Sequence, residues 1–398
     1  MILGGGGSPS PYPEMALQVL SLMLLAGSAL IGPRPVPAVV PVVWWLVGLL
    51  LVLPVVQLVP MPPAWWHALP GREVERAALA LVGAENSWRP WTVSPSRTLA
   101  SVLALITPAI VLLMTASLDR PGRSMVTGMI AGCAVLALLV GAGQLAGGQG
   151  GALRFYDPDV GYLNGFQANH NSAADVLLIG MVAFAAAARD WTARPPGRSR
   201  PGFRLAVVGV ATLVFSLGVV LTASRAGTAL LPVALAGVLA IVWPWMRLTR
   251  AVRVGGVIAA LLAIAAGLYL WQHNAVIGKV LSRYNFEHEF RPQLWTDAVY
   301  AARQYFPFGA GMGTFVPVFL AAERLEVVDL TRPNRAHSDG LELLIEGGVF
   351  GLAILGIIVV ILVRMLVQGL KNPPAGSVAQ ILFAGATLCI IALHSQVD

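Results

Sequence analysis

Charge is scarce in this sequence. Asp, Glu, Lys and Arg make up only 11% of the 398 residues, against about 25% in a soluble globular domain, which argues against an ordinary soluble enzyme. Cysteine is scarcer still: Cys133 and Cys389 both fall inside apolar runs, so neither a disulfide framework nor a cysteine-based metal site is available. Segments of about ten residues with period-2 alternation, the mark of a transmembrane β-barrel, are missing too. No basic stretch followed by a cleavage site opens the chain, so a signal peptide is not expected. Apolar residues fill the space, at 57% of the total and a mean hydropathy of +0.75.

A membrane-spanning helix needs roughly 20 mostly apolar residues. Runs of that kind recur at 15–32, 37–59, 98–118, 124–146, 172–188, 205–222, 227–245, 254–272, 341–363 and 376–394. They predict an all-α polytopic membrane protein with about ten transmembrane helices.

The net charge of +7 and a pI near 9.9 invite a nucleic-acid reading, but the positions of the charges exclude it. Arginine is concentrated in the linkers Asp119–Arg123, Arg189–Arg204 and Arg247–Arg253, which the positive-inside rule assigns to the cytoplasm. Alternating the spans puts Arg34 and the 364–372 linker on the same side. That side holds 13 of the 26 basic residues and only two of the 19 acids, Asp119 and Asp190. The same alternation leaves residues 1–14 outside with no preceding span, and Val397 and Asp398 stop directly after the tenth run. Parity therefore predicts one further span at each end, twelve in the intact protein.

The long segments face outward: 60–97, 147–171 and 273–340, with the short turn Thr222–Arg225. Chemistry is expected there, since the inward linkers are short, basic and rich in Pro and Gly. Trp65, Trp66, Trp88 and Trp91 mark the membrane interface, with sugar stacking as an alternative. Asp157-Pro-Asp159 spells the DxD of metal-dependent sugar transferases, although two carboxylates flanking a proline more often make a turn. Asn169-His170-Asn171-Ser172 is placed to cap the fifth span. Glu287-His288-Glu289 could hold a metal, but three consecutive residues do not converge on one helical face.

Arg225 stands between two apolar runs joined by almost no loop, where an ionisable residue is costly and points to function. Its fork of donors suits a bidentate grip on phosphate. In 287–303, Leu294, Ala298, Ala301 and Ala302 share one helical face, consistent with an amphipathic helix along the membrane. The alternating Gly309, Gly311 and Gly313 fit no established phosphate loop and are expected to form a tight turn against lipid or a neighbour. Asp339 with Glu342 fits a capping box. Just before them stands His337, and imidazole is the side chain whose ordinary pKa, about 6.5, suits proton transfer near neutrality. Arg332 and Arg335 adjoin it.

Thr222-Ala-Ser-Arg225-Ala-Gly, Arg291-Pro-Gln-Leu-Trp295, Pro307-Phe-Gly-Ala-Gly-Met-Gly-Thr-Phe315 and Arg335-Ala-His337-Ser-Asp-Gly-Leu-Glu-Leu-Leu-Ile-Glu346-Gly-Gly stand in this order on the outward segments. In these residues the sequence resembles the O-antigen ligase and O-antigen polymerase superfamily, integral membrane glycosyltransferases of bacterial surface-polysaccharide assembly. The closing His394-Ser-Gln-Val-Asp398 is similar as well. Weaker similarity lies in Arg89-Pro-Trp-Thr-Val-Ser-Pro95, in Gly165-Phe-Gln-Ala-Asn-His-Asn171 and in the opening Gly4–Gly7.

The resemblance implies a fold of the GT-C type. Residues 1–204 would supply N-terminal transmembrane helices, and 205–398 a ligase-like core with one large periplasmic loop, 273–340. It implies an enzyme of the bacterial inner membrane, with its active site facing the periplasm. That enzyme would transfer a glycan from undecaprenyl pyrophosphate to lipid A core or to a growing chain, without a metal or other cofactor. Carried over, Arg225 and Arg291 would neutralise the leaving pyrophosphate, and His337 would serve as general base or orient the acceptor. Arg332 and Arg335 are further candidate ligands. Ligases and polymerases share these motifs. A protein O-oligosaccharyltransferase is the alternative within the class; a transporter or flippase of lipid-linked saccharides is the alternative outside it. A transporter should place charges mid-span and show internal repeats, whereas here the polar residues cluster at one face.

Overall fold

The computed structural model of the chain describes residues 11–31, 40–147, 153, 155, 161–193, 201–246, 291–326, 328 and 333–396. Nine of the ten predicted apolar runs fall on helices, and the remaining run, 254–272, lies outside the described residues. Among the described residues, seven helical stretches are long and apolar enough to cross a membrane, and Pro41–Gln57 and Val378–His394 are shorter apolar helices.

The first layer is α1 (Pro11–Ile31), α2 (Pro41–Gln57), α5 (Pro95–Ala104) and α6 (Ile106–Ser117). Between α2 and α5 lie two short helices, α3 (Pro63–Trp66) and α4 (Glu73–Ala80). A two-residue antiparallel pair, β1 (Pro60–Met61) with β2 (Arg89–Pro90), completes this region. Its tryptophans divide, since Trp65 and Trp88 are exposed while Trp66 is fully buried with Nε1 donating to Ser87 O at 2.9 Å.

The second layer is built around α8 (His170–Ala193), ringed by α7 (Arg120–Ala146), α9 (Pro201–Leu221) and α10 (Arg225–Val242). Lipid gives no hydrophobic drive between helices, so close approach must come from small side chains. Ala174, Leu177, Leu178, Met181, Ala185 and Ala186 of α8 are buried. Gly180 lies against Ala134, and Gly227 against Ala174.

The last elements are α11 (Arg291–Tyr305), α12 (Phe315–Ala322), α13 (Asp339–Lys371) and α14 (Val378–His394), the last packed on α8 and α10. The expected apolar face of α11 is present: Leu294, Ala298, Ala301 and Ala302 are buried. They meet α12 and the start of α13 rather than lipid, because Phe315, Phe319 and Ile345 offer a closer apolar surface.

The two ends of the bundle differ. At one end Arg120 lies against Gly376, Arg189 donates to Ile241 O at 2.8 Å, and buried Asp190 accepts from Ser124 and Gln380 at 2.9 Å each. These residues flank the basic linkers. The opposite end holds the starts of α8, α10, α11 and α13 and the finish of α14.

Candidate functional site

The turn before α10 is built by its own hydroxyls. Thr222 donates to Val219 O and accepts from Ser224 N, and Ser224 caps the helix by accepting from Gly227 N at 2.9 Å. Ala223 adopts φ +58°, a left-handed conformation costly for a residue with a Cβ. Together these hold Arg225, half-buried, as the first residue of α10. Positive charge at a helix start, where the positive end of the helix dipole adds to it, makes a setting that favours an anion.

Arg291 is likewise the first residue of its helix, α11. Trp295, one turn further on the same face, donates its Nε1 to Ala336 O at 2.9 Å. Ala336 lies between Arg335 and His337, so this bond brings the start of α11 to the segment before α13. The Glu342 carboxylate anchors that segment from below, taking Arg335 Nη1 at 2.6 Å and Ala336 N at 3.2 Å. The Glu342 charge raises the Arg335 guanidinium above its ordinary pKa.

This use of Glu342 corrects the capping-box expectation. Ser338 is the N-cap of α13, and Glu342 is drawn to the Arg335 charge instead of reaching back to the helix start. At the fifth apolar run, Asn169 Oδ1 accepts from Asn171 N at 2.8 Å, so the amide run does cap its helix.

His337 has φ +51°. Among the described residues it and Ala223 are the two non-glycine residues with positive φ, and such strain concentrates where side chains must be presented for function. A chain of contacts joins the two turns. Asp339 N donates to Ser395 O at 2.7 Å, next to His394, which pairs through Nδ1 with Asp175 of α8. Neighbouring Ala174 packs on Gly227 of α10. Arg225, Arg291, Arg335 and His337 therefore stand at one end of the bundle. Arg332, Asp157-Pro-Asp159 and Glu287-His288-Glu289 lie outside the described residues. Among the described residues, no three His, Cys, Asp or Glu side chains are grouped to hold a metal ion.

The glycine turn of 307–315 packs against neighbouring protein. Helix α13 breaks at Gly348, where φ is +57° and a Cβ would stand 2.0 Å from Pro307 O. The break frees carbonyls that a straight helix would use internally, and in a membrane they must find donors. Ala310 N donates to Ile345 O at 2.8 Å and Gly311 N to Glu346 O at 2.9 Å. A Cβ on Gly311 would stand 2.1 Å from Thr92 Oγ1, and Val93 N donates to Ala310 O, so the 89–95 segment closes over the turn.

Sequence reading missed the residues that lock this joint. Gln57, fully buried, donates to Glu346 O at 3.0 Å and accepts from Met312 N at 2.8 Å, and Glu346 Oε1 accepts from Phe315 N at 2.8 Å. An amide at the end of one apolar run and an acid inside another were the available signals, since polar groups in a membrane helix are there to be paired. Gln57→Leu orphans the Met312 N–H and should destabilise the protein by about 1–3 kcal/mol. Denaturant unfolding of the purified protein checks this, and an unchanged midpoint would mean that the amide is not the lock.

Long apolar helices with few charged residues, most of them toward the helix ends, define a multi-pass α-helical membrane protein. A sequence model of the O-antigen ligase family matches residues 210–356, from α9 through the Arg225 turn, α11 and α12 to the break in α13. Residues 210–356 are thus similar to the O-antigen ligase family, in keeping with the resemblance read from the sequence, and that similarity points to glycosyltransferase or ligase activity in general. No curated protein and no solved structure matches the chain.

Proposed function

We propose that the protein transfers a glycan from a polyprenyl pyrophosphate to lipid A core or to a growing polysaccharide chain, at the periplasmic face of the bacterial inner membrane. The observation that carries this reading is the pair of strained turns, at Ala223 and His337, brought to one end of the ligase domain. They present a guanidinium at a helix start and an imidazole beside a second arginine-bearing helix. Arg225 and Arg291 neutralise the pyrophosphate as it leaves. His337 takes the proton from the acceptor hydroxyl while that oxygen attacks the anomeric carbon, and the bond to the pyrophosphate oxygen breaks.

The direct test is transfer by the purified protein in vesicles, from a lipid-linked donor to an added acceptor. Transfer is expected to continue in EDTA. Release of free glycan or movement of the donor across the bilayer, with no transfer, would overturn the reading in favour of a hydrolase or a flippase.

Orientation has its own test. The positive-inside rule expects the Arg-rich linker around Ser199 in the cytoplasm, which leaves exposed Ala321 for the periplasm. A cysteine at Ala321 should be labelled by an impermeant reagent on intact cells, and one at Ser199 should not. The reverse pattern would place the candidate site in the cytoplasm and remove the lipid-linked donor from the mechanism.

A further inference from the structure

Helix α14 ends on a polar contact that its packing does not require. Along its length it meets α10 through small residues, as where Gly237 lies against Ala386, the ordinary way for helices to approach in lipid. At its last residue it instead sets the buried imidazole of His394 against the Asp175 carboxylate of α8. A carboxylate can only accept, so Nδ1 donates. Two ionisable side chains facing each other inside a membrane bundle are costly and point to a task. Contacts between small apolar residues leave a helix free to turn about its axis or slide. A charge-assisted hydrogen bond is directional and fixes both.

What the pair fixes follows from its neighbours. On α8, Asp175 adjoins Ala174, which packs on Gly227 of α10, and Gly227 N donates to Ser224 Oγ in the cap of the Arg225 turn. On α14, His394 adjoins Ser395, the C-cap, whose carbonyl lies beyond the helix's own hydrogen bonds. That carbonyl accepts at 2.7 Å from Asp339 N, in the first residue of α13 and two residues after His337. Gln396 lies over Gly340, the next residue. The pair thus stands between the two strained turns, one covalent step from the contact that reaches each.

We propose that Asp175 and His394 are positioning residues for the transfer, holding the His337 imidazole at its working distance from the anion gripped by Arg225. Neither touches substrate in this role. Naming the task as transfer rests on the reading above; the mechanical link from the pair to the His337 segment does not.

Asp175→Ala and His394→Ala break the link from opposite sides. Each should lower kcat about 100-fold, the cost of displacing a reacting group by about 1 Å. Binding of a short prenyl pyrophosphate should be unchanged, since Arg225 and Arg291 keep their places. The double variant should be no slower than the slower single one, because the second substitution finds nothing left to break. His394→Asn keeps an N–H donor close to the Nδ1 position and should restore most of the lost turnover. Asp175→Asn keeps the shape and loses only the charge, so it folds where an Ala variant might fail and shows the same effects in smaller degree.

Hydrogen exchange of the full chain in nanodiscs reads the link without turnover. In both Ala variants exchange across residues 335–340 should quicken about tenfold as local opening becomes easier, while residues 222–228 keep their wild-type rate. Unchanged exchange across 335–340 overturns the proposal, as does a fall in transfer matched by loss of folded protein alone. A His394→Asn variant as slow as His394→Ala would give the imidazole a part of its own in the chemistry, and overturns it too. Wild-type protein that transfers nothing would remove the transfer reading, and exchange would still decide the link.

Discussion

Replacing His337 by Ala should lower glycan transfer by about 10²–10⁴-fold, the usual cost of losing a general base. The loss is expected to be chemical rather than structural, because the backbone around His337 is held by neighbours that the substitution leaves in place. Ala336 is fixed on both sides, its N–H by Glu342 and its carbonyl by Trp295, and Asp339 N is fixed by Ser395 O. Strain at φ +51° is the one complication, since Ala tolerates that conformation less well than His. His337→Asn controls for it, because Asn accepts left-handed backbone and hydrogen-bonds but cannot serve as the base. If the imidazole removes the proton, Ala and Asn variants should both be nearly inactive at normal protein level. Substantial activity in the Asn or Gln variant would make His337 an orienting group, and wild-type transfer by His337→Ala would remove it from the mechanism.

Much of the frame could be read directly because membrane insertion writes itself into composition. Runs of apolar residues fixed the positions of α1, α2, α5–α10, α13 and α14, while the arginines of 119–123 and 189 marked the opposite end from Arg225. The candidate residues were singled out for a different reason: a charge at the end of an apolar run is expensive, which marked Arg225, and an imidazole suits proton transfer near neutrality, which marked His337. What stayed hidden depends on contacts between distant segments. Gln57 gives no sign that its partner is the backbone of Glu346 and Met312, some 250–290 residues away. The break at Gly348 was likewise concealed, because the apolar run that follows it continues without interruption through Val363. Local pattern also misassigned Glu342, whose spacing from Asp339 fits a capping box, while Arg335 across the helix start offers a full charge.

Arg225→Ala should cost about 10²–10³-fold in transfer, the scale seen when one preorganised group facing a developing negative charge is removed. The turn itself should survive, since Ser224 Oγ, Thr222 Oγ1 and the backbone of Ala223 hold it without the guanidinium. Arg225→Lys and Arg291→Lys keep the charge but lose the planar fork. Losing one charge-assisted hydrogen bond of about 1.5–3 kcal/mol predicts a fall of roughly 10–100-fold for each. Binding of a short prenyl pyrophosphate should weaken in parallel, which separates loss of grip from loss of fold. Full transfer by both Lys variants at equal protein level would exclude a bidentate role. The combined Arg225→Ala and Arg291→Ala variant then asks whether the two arginines hold one ligand. Two groups on the same pyrophosphate should be coupled by about 0.5–3 kcal/mol, so the double variant should lose less than the two single losses together. Strict additivity would put the arginines on separate ligands, and Arg291 would then belong with the acceptor rather than with the departing pyrophosphate.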